Sequence, residues 1–336
     1  MKVCSVIVTY GDRFHLLKQV IEACYKEGVD KVIVIDNASE ENSKKQLKEY
    51  EKENQDRLKV IYLEENTGSA GGYKRGLQEA YECEECEYIW LLDDDNMPQK
   101  DSLKVLKEFW GKLENKEKEK KVSLLSFRPD RMAYKEAIMT NNPNLVLGRK
   151  NSFLGFHILD LPKKVLRVLK RKIGIKTFVE DKNIKSGKVA VAPYGGMFFH
   201  KKIIDNIGYP REEFFVYADD HEWSYRITKR GGKIILVLDS KLKDIDISWN
   251  LKEKAKSPFY SYLNEGGDFR VYYAVRNRVH FDLQYLVNNR FLYKINMYIF
   301  IFILQFFRNS KNQERYDVFK RAIDDRLNNH FGKVDI

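Results

Sequence analysis

The chain has 336 residues, enough for one large or two modest domains with a sizeable core. Its 43% hydrophobic and 32% charged residues exclude a disordered or fibrous chain. Sixty basic against 49 acidic residues leave a net charge of +11, which points to an anionic partner without choosing among nucleic acid, anionic lipid and phosphate-bearing small molecules.

Met1–Lys2 leads directly into an apolar strand at Val3–Thr9, so no signal peptide is expected. Helical spacing follows over Asp12–Glu27, with Phe14, Leu17, Val20, Ile21 and Cys24 on one face. Lys31–Ile35 is a second predicted strand, Asn42–Asn54 a charged helix and Leu58–Leu63 a third strand. Ala70–Tyr81 is helical, and Tyr88–Leu92 is a fourth strand. Alternating strands and helices imply right-handed crossovers and an α/β fold with a mainly parallel sheet, whose ligands bind beyond the carboxyl ends of the strands. Three strands end in polar residues, Thr9–Tyr10, Asp36–Asn37 and Asp93–Asp95, which should gather at one rim.

Cys83 and Cys86 have CxxC spacing, but no second pair is present to complete a zinc site, and Glu84 and Glu85 between them raise the thiol pKa values. An ordinary reduced pair is expected. Lys112–Lys121 is a solvated charge run. Leu161–Lys176, "LPKKVLRVLKRKIGIK", is basic and amphipathic: a helix covering the sheet, or a contact for a membrane surface or an anionic acceptor. Val189–Val216 is strand-like, Tyr217–Lys229 helical and Ile234–Leu238 a strand. From Arg270 onward the chain is mostly helical and aromatic. Met297–Phe307, the longest apolar run, falls short of the roughly 20 residues that cross a bilayer, so it is a core helix or an interfacial one.

Three constellations carry chemistry. Asp93, Asp94 and Asp95 follow "YIWLL" directly, and packed carboxylates persist when a cation neutralises them. Oxygen-only ligands suit Mg²⁺ or Mn²⁺, and strand alternation selects Asp93 and Asp95 as ligands, leaving Asp94 on the other side. "NTGSAGGYKRG" at 66–76 places Gly68, Gly71, Gly72 and Gly76 where a strand passes into a helix, with Lys74 and Arg75 adding charge; the spacing is neither a P-loop nor a dinucleotide fingerprint. In "YADDHEWSYR" at 217–226, Asp219 suits a helix cap and Glu222 can pair with Arg226, which leaves Asp220 as a candidate general base with His221 its rival. Gly195–Gly196 allow close approach of a sugar or phosphate or make a tight turn; Trp223 and Trp249 could stack on a sugar or simply pack. Arg276 and Arg278 could grip phosphate or form surface pairs.

Taken in order, "VIVTY", "VIDNAS", "NTGSAGGYKRGL", "WLLDDDNMP", "GGMFFHKKIIDNIGYP" and "FVYADDHEWSYRITKRGGKI" resemble the family-two inverting glycosyltransferases of the GT-A fold over roughly the first 250 residues. "VYYAVRNRV" and the DDD form of the metal motif look closest to galactofuranosyl- and rhamnosyltransferase-like members that build bacterial surface polysaccharides. The resemblance implies a GT-A domain over 1–265, with a nucleotide half at 1–100 and an acceptor half at 185–250, and a helical region over 266–336. It assigns Thr9, Tyr10, Asp36, Asn66, Gly72, Arg75 and Asp94 to the donor, and Asp93 and Asp95 to Mn²⁺ or Mg²⁺. Asp220 becomes the base; Gly195, Gly196, Asp219, Glu222 and Trp223 fall on the acceptor side. Where relatives often carry a metal-binding histidine, this chain has "KLKDIDISW", so Asp244 is the nearest substitute and Asp246 the next. The implied partners are a nucleotide-diphosphate sugar (UDP-galactofuranose, a UDP-hexose or dTDP-rhamnose) and a glycan or lipid-linked glycan acceptor. The implied location is cytoplasmic, with a peripheral place on the inner face of the cytoplasmic membrane as an open alternative. A sugar nucleotidyltransferase is the nearest rival, but Gly11–Asp12–Arg13 is a poor phosphate loop for it. A non-catalytic sugar-binding relative is a further alternative. Scattered basic residues argue against a nucleic-acid binder.

Overall fold

A computed structural model describes residues 1–114, 116–162, 181–246 and 257–334. Its sheet is built from β1 (Val3–Thr9), β2 (Lys31–Asn37), β3 (Leu58–Leu63), β4 (Tyr88–Asp93), β5 (Asn96–Pro98), β6 (Val122–Phe127), β7 (Ser186–Val189), β8 (Met197–His200) and β9 (Lys233–Asp244). The strand order is β3-β2-β1-β4-β8-β6-β9-β5, with β7 also pairing with β9. β3, β2, β1 and β4 are parallel, as are β6 and β9. β8 runs antiparallel between β4 and β6, and the short β5 and β7 run antiparallel to β9. The expected parallel sheet is thus the N-terminal half, and the other half is mixed.

Helices Phe14–Lys26, Glu41–Glu53 and Gly68–Glu82 connect the first four strands. Strand alternation divides the apolar residues between two cores, one on each face. Val6, Ile33, Ile35, Ile89 and Leu91 lie on one side, and Ile7, Val32, Val34, Trp90 and Leu92 on the other. Val189–Val216 is not extended throughout: after β8 it forms the helix Ile203–Ile207 and a 3-10 turn at Glu212–Phe214, whose apolar residues are buried by packing rather than by strand pairing.

Cys86 bonds to Cys4, with Cα atoms 5.5 Å apart, and Cys83 is a free thiol. This corrects the expected reduced pair. Val3 lies opposite Tyr88 in the β1–β4 register, which brings the neighbouring cysteines to disulfide distance.

Helices Pro258–Asn264, Asp268–Phe281, Arg290–Gln305 and Gln313–Leu327 follow. Their core includes Leu263, Tyr272, Phe300 and Phe319, and also Phe153, Phe156 and Phe215 from earlier in the chain. The helical region therefore packs into the preceding half of the chain, and residue 265 does not separate two cores. Most of the basic segment Leu161–Lys176, from residue 163 on, and Trp249 lie outside the described residues. No helix among the described residues is long and apolar enough to cross a membrane.

Candidate active site

The carboxyl ends of β1, β2 and β4 meet at one rim, as the strand pattern requires. They open on a cavity of about 530 Å³ whose wall includes Tyr10, Arg13, Asn66, Asp93, Asp94, Asp95, Arg128 and Asp244.

Two guanidinium groups hold the three adjacent aspartates. Arg13 donates to Asp94 and Asp95, each at 2.9 Å, and to Asp246 at 2.7 Å. Buried Arg128 donates to Asp93 at 3.3 Å, to Asn96 at 2.9 Å and to Asp244 at 2.8 Å. Asp94 is buried and also accepts from the Thr9 hydroxyl at 2.8 Å, so it anchors the rim. Tyr73 donates its hydroxyl to Asp93 at 2.7 Å. Arg128 also reaches Asp130, which pairs with Arg131 on the same wall, so six carboxylates share three cations. Burial, then the charges of Asp93, Asp94 and Asp244, push Asp95 up to about 7. Burial also raises Asp244, and its Oδ1 is buried without a hydrogen-bond partner among the described residues. An all-oxygen donor set with excess negative charge and a free lone pair fits a hard divalent cation.

The glycine loop faces the same cavity. Gly68 has φ +70°, and a Cβ there would lie 2.0 Å from the Phe215 carbonyl oxygen, so only glycine is accommodated. Asn66 accepts from the Gly68 N–H at 2.8 Å, and Asn37 donates to Asn66 and to the Gly68 carbonyl. Asp36 is fully buried at the end of β2; Oδ1 accepts from the Ser39 N–H and Oδ2 has no partner among the described residues. Tyr10 is half-exposed and lies 5.5 Å from the Arg13 guanidinium. Two expected donor contacts point elsewhere. A Cβ on Gly72 would lie 2.6 Å from Val8, so this glycine lets the helix sit close on β1. Arg75 pairs outward with Glu79.

Gly195 and Gly196 serve the site differently from the acceptor contact expected. A Cβ on Gly195 would lie 2.0 Å from Asn96 Oδ1 and 2.6 Å from Asp93 Oδ2, so the missing side chain makes room for the acidic cluster. Gly196, at φ +106°, turns the chain into β8.

The helix Asp219–Lys229 starts behind this rim. Its N-cap is Ala218, without a side-chain cap. Asp219 is instead buried and accepts from Ser69 Oγ at 2.7 Å, tying the helix to the glycine loop. Burial, then Asp220, raises its pKa. Asp220 is half-buried; its Oδ1 accepts from the His221 N–H at 2.7 Å, and burial above all raises its pKa to about 6, with Asp93 contributing. His221 lies 3.0 Å from the Tyr134 hydroxyl and burial lowers it to about 3, so it is neutral and no rival base. Glu222 and Trp223 are buried, which corrects their acceptor assignment. Glu222 pairs with Arg226 and accepts from Tyr285; Trp223 packs on Tyr194 and Phe199 and donates to the Gly208 carbonyl.

Arg276 and Arg278 hold protein, not phosphate. Arg278 pairs with buried Asp282. Arg276 is fully buried and donates to the carbonyls of Gly332 at 2.7 Å and Glu213 at 3.3 Å, while its Nε donates to Asn277 Oδ1 at 3.0 Å. That orients the Asn277 amide toward three carbonyls, Phe214 at 2.7 Å, Val216 at 2.8 Å and Tyr217 at 2.9 Å. Phe215, Tyr217 and Ala218, within and just after this stretch, are all at positive φ. Non-glycine residues hold such conformations only where the surroundings impose them. Asn277→Ala should therefore destabilise the fold by about 1–3 kcal/mol in urea unfolding, through carbonyls left unpaired.

Fold and cavity together define a GT-A-type α/β protein with an acidic rim. Residues 5–116 match the description of glycosyl transferase family 2. TuaG of Bacillus subtilis, named for teichuronic acid biosynthesis as a glycosyltransferase, is 35% identical over 78 residues, 23% of this chain and 29% of TuaG. Among solved structures, GalNAc-T7 with UDP, GalNAc and Mn²⁺ aligns with TM-score 0.51 at 15% identity, over 73% of this chain and 44% of its own. The mannosyltransferase PcManGT of Pyrobaculum calidifontis with GDP-Man and Mn²⁺ aligns with TM-score 0.50 at 14% identity, over 99% of this chain and 76% of its own. The chain thus spans less than a third of TuaG and under half of GalNAc-T7.

Proposed function

We propose that the protein is an inverting glycosyltransferase of cell-surface polysaccharide synthesis. Its donor is a nucleotide-diphosphate sugar: UDP-galactofuranose, a UDP-hexose or dTDP-rhamnose. Its acceptor is a glycan or lipid-linked glycan. The observation that carries this reading is the acidic cluster at the rim of the parallel strands, with excess charge and an unpartnered Asp244 oxygen, beside a glycine loop tied to Asp219 next to Asp220. The family match over residues 5–116 supports it, as do two proteins of the same fold whose structures hold nucleotide and Mn²⁺.

Asp93, Asp95 and Asp244 would hold Mn²⁺ or Mg²⁺, which when bound offsets the diphosphate charge as the leaving group departs. Tyr10 and Asn66 would face the donor from the cavity wall, while Arg13 and buried Thr9 fix Asp94 at the rim and buried Asp36 lies at the end of β2. Asp220 takes the proton of the acceptor hydroxyl as its oxygen bonds to the anomeric carbon. The bond from that carbon to the diphosphate breaks on the opposite face, so one displacement inverts the centre. Asp219, bonded to Ser69, and the Asn277 clamp position Asp220.

A thermal-shift screen of nucleotide sugars tests this. A nucleotide sugar that binds the folded state should raise the unfolding midpoint in Mn²⁺ and not in EDTA. Equal midpoints with every nucleotide sugar would remove the donor assignment.

A further inference from the structure

The helix Arg290–Gln305 carries two apolar faces. Tyr293, Met297, Phe300 and Leu304 are buried in the third core. Phe291, Tyr298, Phe302 and Phe306, the last just past the helix end, are 75%, 63%, 60% and 74% exposed. Their spacing of seven, four and four residues puts all four on one stripe about 22 Å long. A helix apolar on its outer face needs a second apolar environment. At 16 residues it is too short to cross a bilayer, which takes about 20.

The charge along this stretch of chain is of one sign. Residues 290–313 contain no Asp or Glu, while Arg290, Lys294, Arg308 and Lys311 are all exposed. Neither Arg290 nor Lys294 pairs with a carboxylate among the described residues. Beside the stripe lies a cavity of about 610 Å³ whose wall includes Arg290, Lys294, Arg326, His280, Met297 and Tyr298, and no carboxylate. Arg326 Nε and His280 Nδ1 are buried without hydrogen-bond partners among the described residues, and His280 is only 8% exposed. Tyr298 belongs to both the stripe and the cavity.

We infer that this face docks on a bilayer surface bearing anionic phospholipid. The aromatic stripe enters the boundary between headgroups and acyl chains, and the basic cavity takes a lipid phosphate. A two-fold contact with a second copy fits less well, because it would set these cations against one another with no acid between them.

The full chain should co-sediment with phosphatidylglycerol–phosphatidylcholine vesicles at low salt and release at high salt. Arg290→Glu with Lys294→Glu should lower the partition coefficient about 20-fold or more, at roughly fivefold per cation. Phe302→Ser with Phe306→Ser should lower it about tenfold. Both variants should keep the parent's circular dichroism and thermal midpoint, since the replaced side chains are exposed. Three results would each overturn the inference: no binding, equal binding to pure phosphatidylcholine, or a parent dimer that the Phe302/Phe306 variant turns into a monomer. Vesicle binding by a protein that turns over no nucleotide sugar would sink the transfer reading alone.

Discussion

Asp220→Asn is expected to lower kcat by about 10³-fold, within the range that a positioned general base supplies. The amide keeps an oxygen to accept from the His221 N–H, as Asp220 does at 2.7 Å, so the start of the helix should hold its shape. Donor affinity in Mn²⁺ should stay within about twofold, because the proposed mechanism sets Asp220 against the acceptor hydroxyl and not the diphosphate. The pH profile adds a readout that a folding defect would not produce. Burial raises Asp220 to about 6, so below that pH it is protonated and cannot accept. In the parent, kcat/KM should rise about tenfold per pH unit up to about 6 and then level off; the residual activity of the variant should lack that limb. Normal turnover by the variant would end the assignment of the base. His221 does not replace it, since burial lowers it to about 3 and its ring faces Tyr134.

The first four strands are legible in the sequence because they are short apolar runs separated by helices of period 3.6, and three of them end in polar residues at the rim. β6 is not: "VSLLSF" is a short, fully buried run after a charge-rich stretch, and periodicity does not tell such a run from buried helix. Missing β6 also hides Arg128, which follows its last residue. The carboxylates of the site stand out as anions next to buried strands, but the cations that hold them do not. Arg13 lies 81 residues from Asp94, and Arg128 lies 116 from Asp244, so only the assembled sheet pairs them. One signal was available: both arginines stand at or just past the carboxyl end of a strand. Side-chain direction was the other gap. Glu222, Trp223 and Arg276 belong to motifs that surround the site, yet their helices turn them inward, where they pack and clamp.

Asn277 shows why the helical region bears on the chemistry. It belongs to Asp268–Phe281, a helix beyond the expected catalytic boundary, yet its amide fixes the backbone that presents Asp220. The third core spans both regions through Phe215, so packing in the C-terminal helices and geometry at Asp220 are mechanically joined.

Asp95→Asn should move stability and ligand binding in opposite directions. Because burial and its acidic neighbours raise Asp95 to about 7, the folded chain binds that proton more tightly than the unfolded chain does. Its ionisation therefore opposes folding, increasingly as pH rises from the ordinary carboxylate range to about 7. The amide removes this penalty, and Arg13 still holds Asp94 and Asp246. In EDTA at pH 8 the variant should melt no lower than the parent, and should melt higher if the Arg13–Asp95 bond contributes little net stability. With Mn²⁺ the order should reverse. Loss of one ligand charge should weaken calorimetric UDP affinity by at least about tenfold and abolish the metal-induced thermal shift, since even an indirect perturbation of a metal site typically costs 10–100-fold. A carboxylate kept only for the fold would behave otherwise, with the melting point falling in EDTA and UDP affinity in Mn²⁺ unchanged. The two signs together separate a residue kept for binding a cation from one kept for the fold.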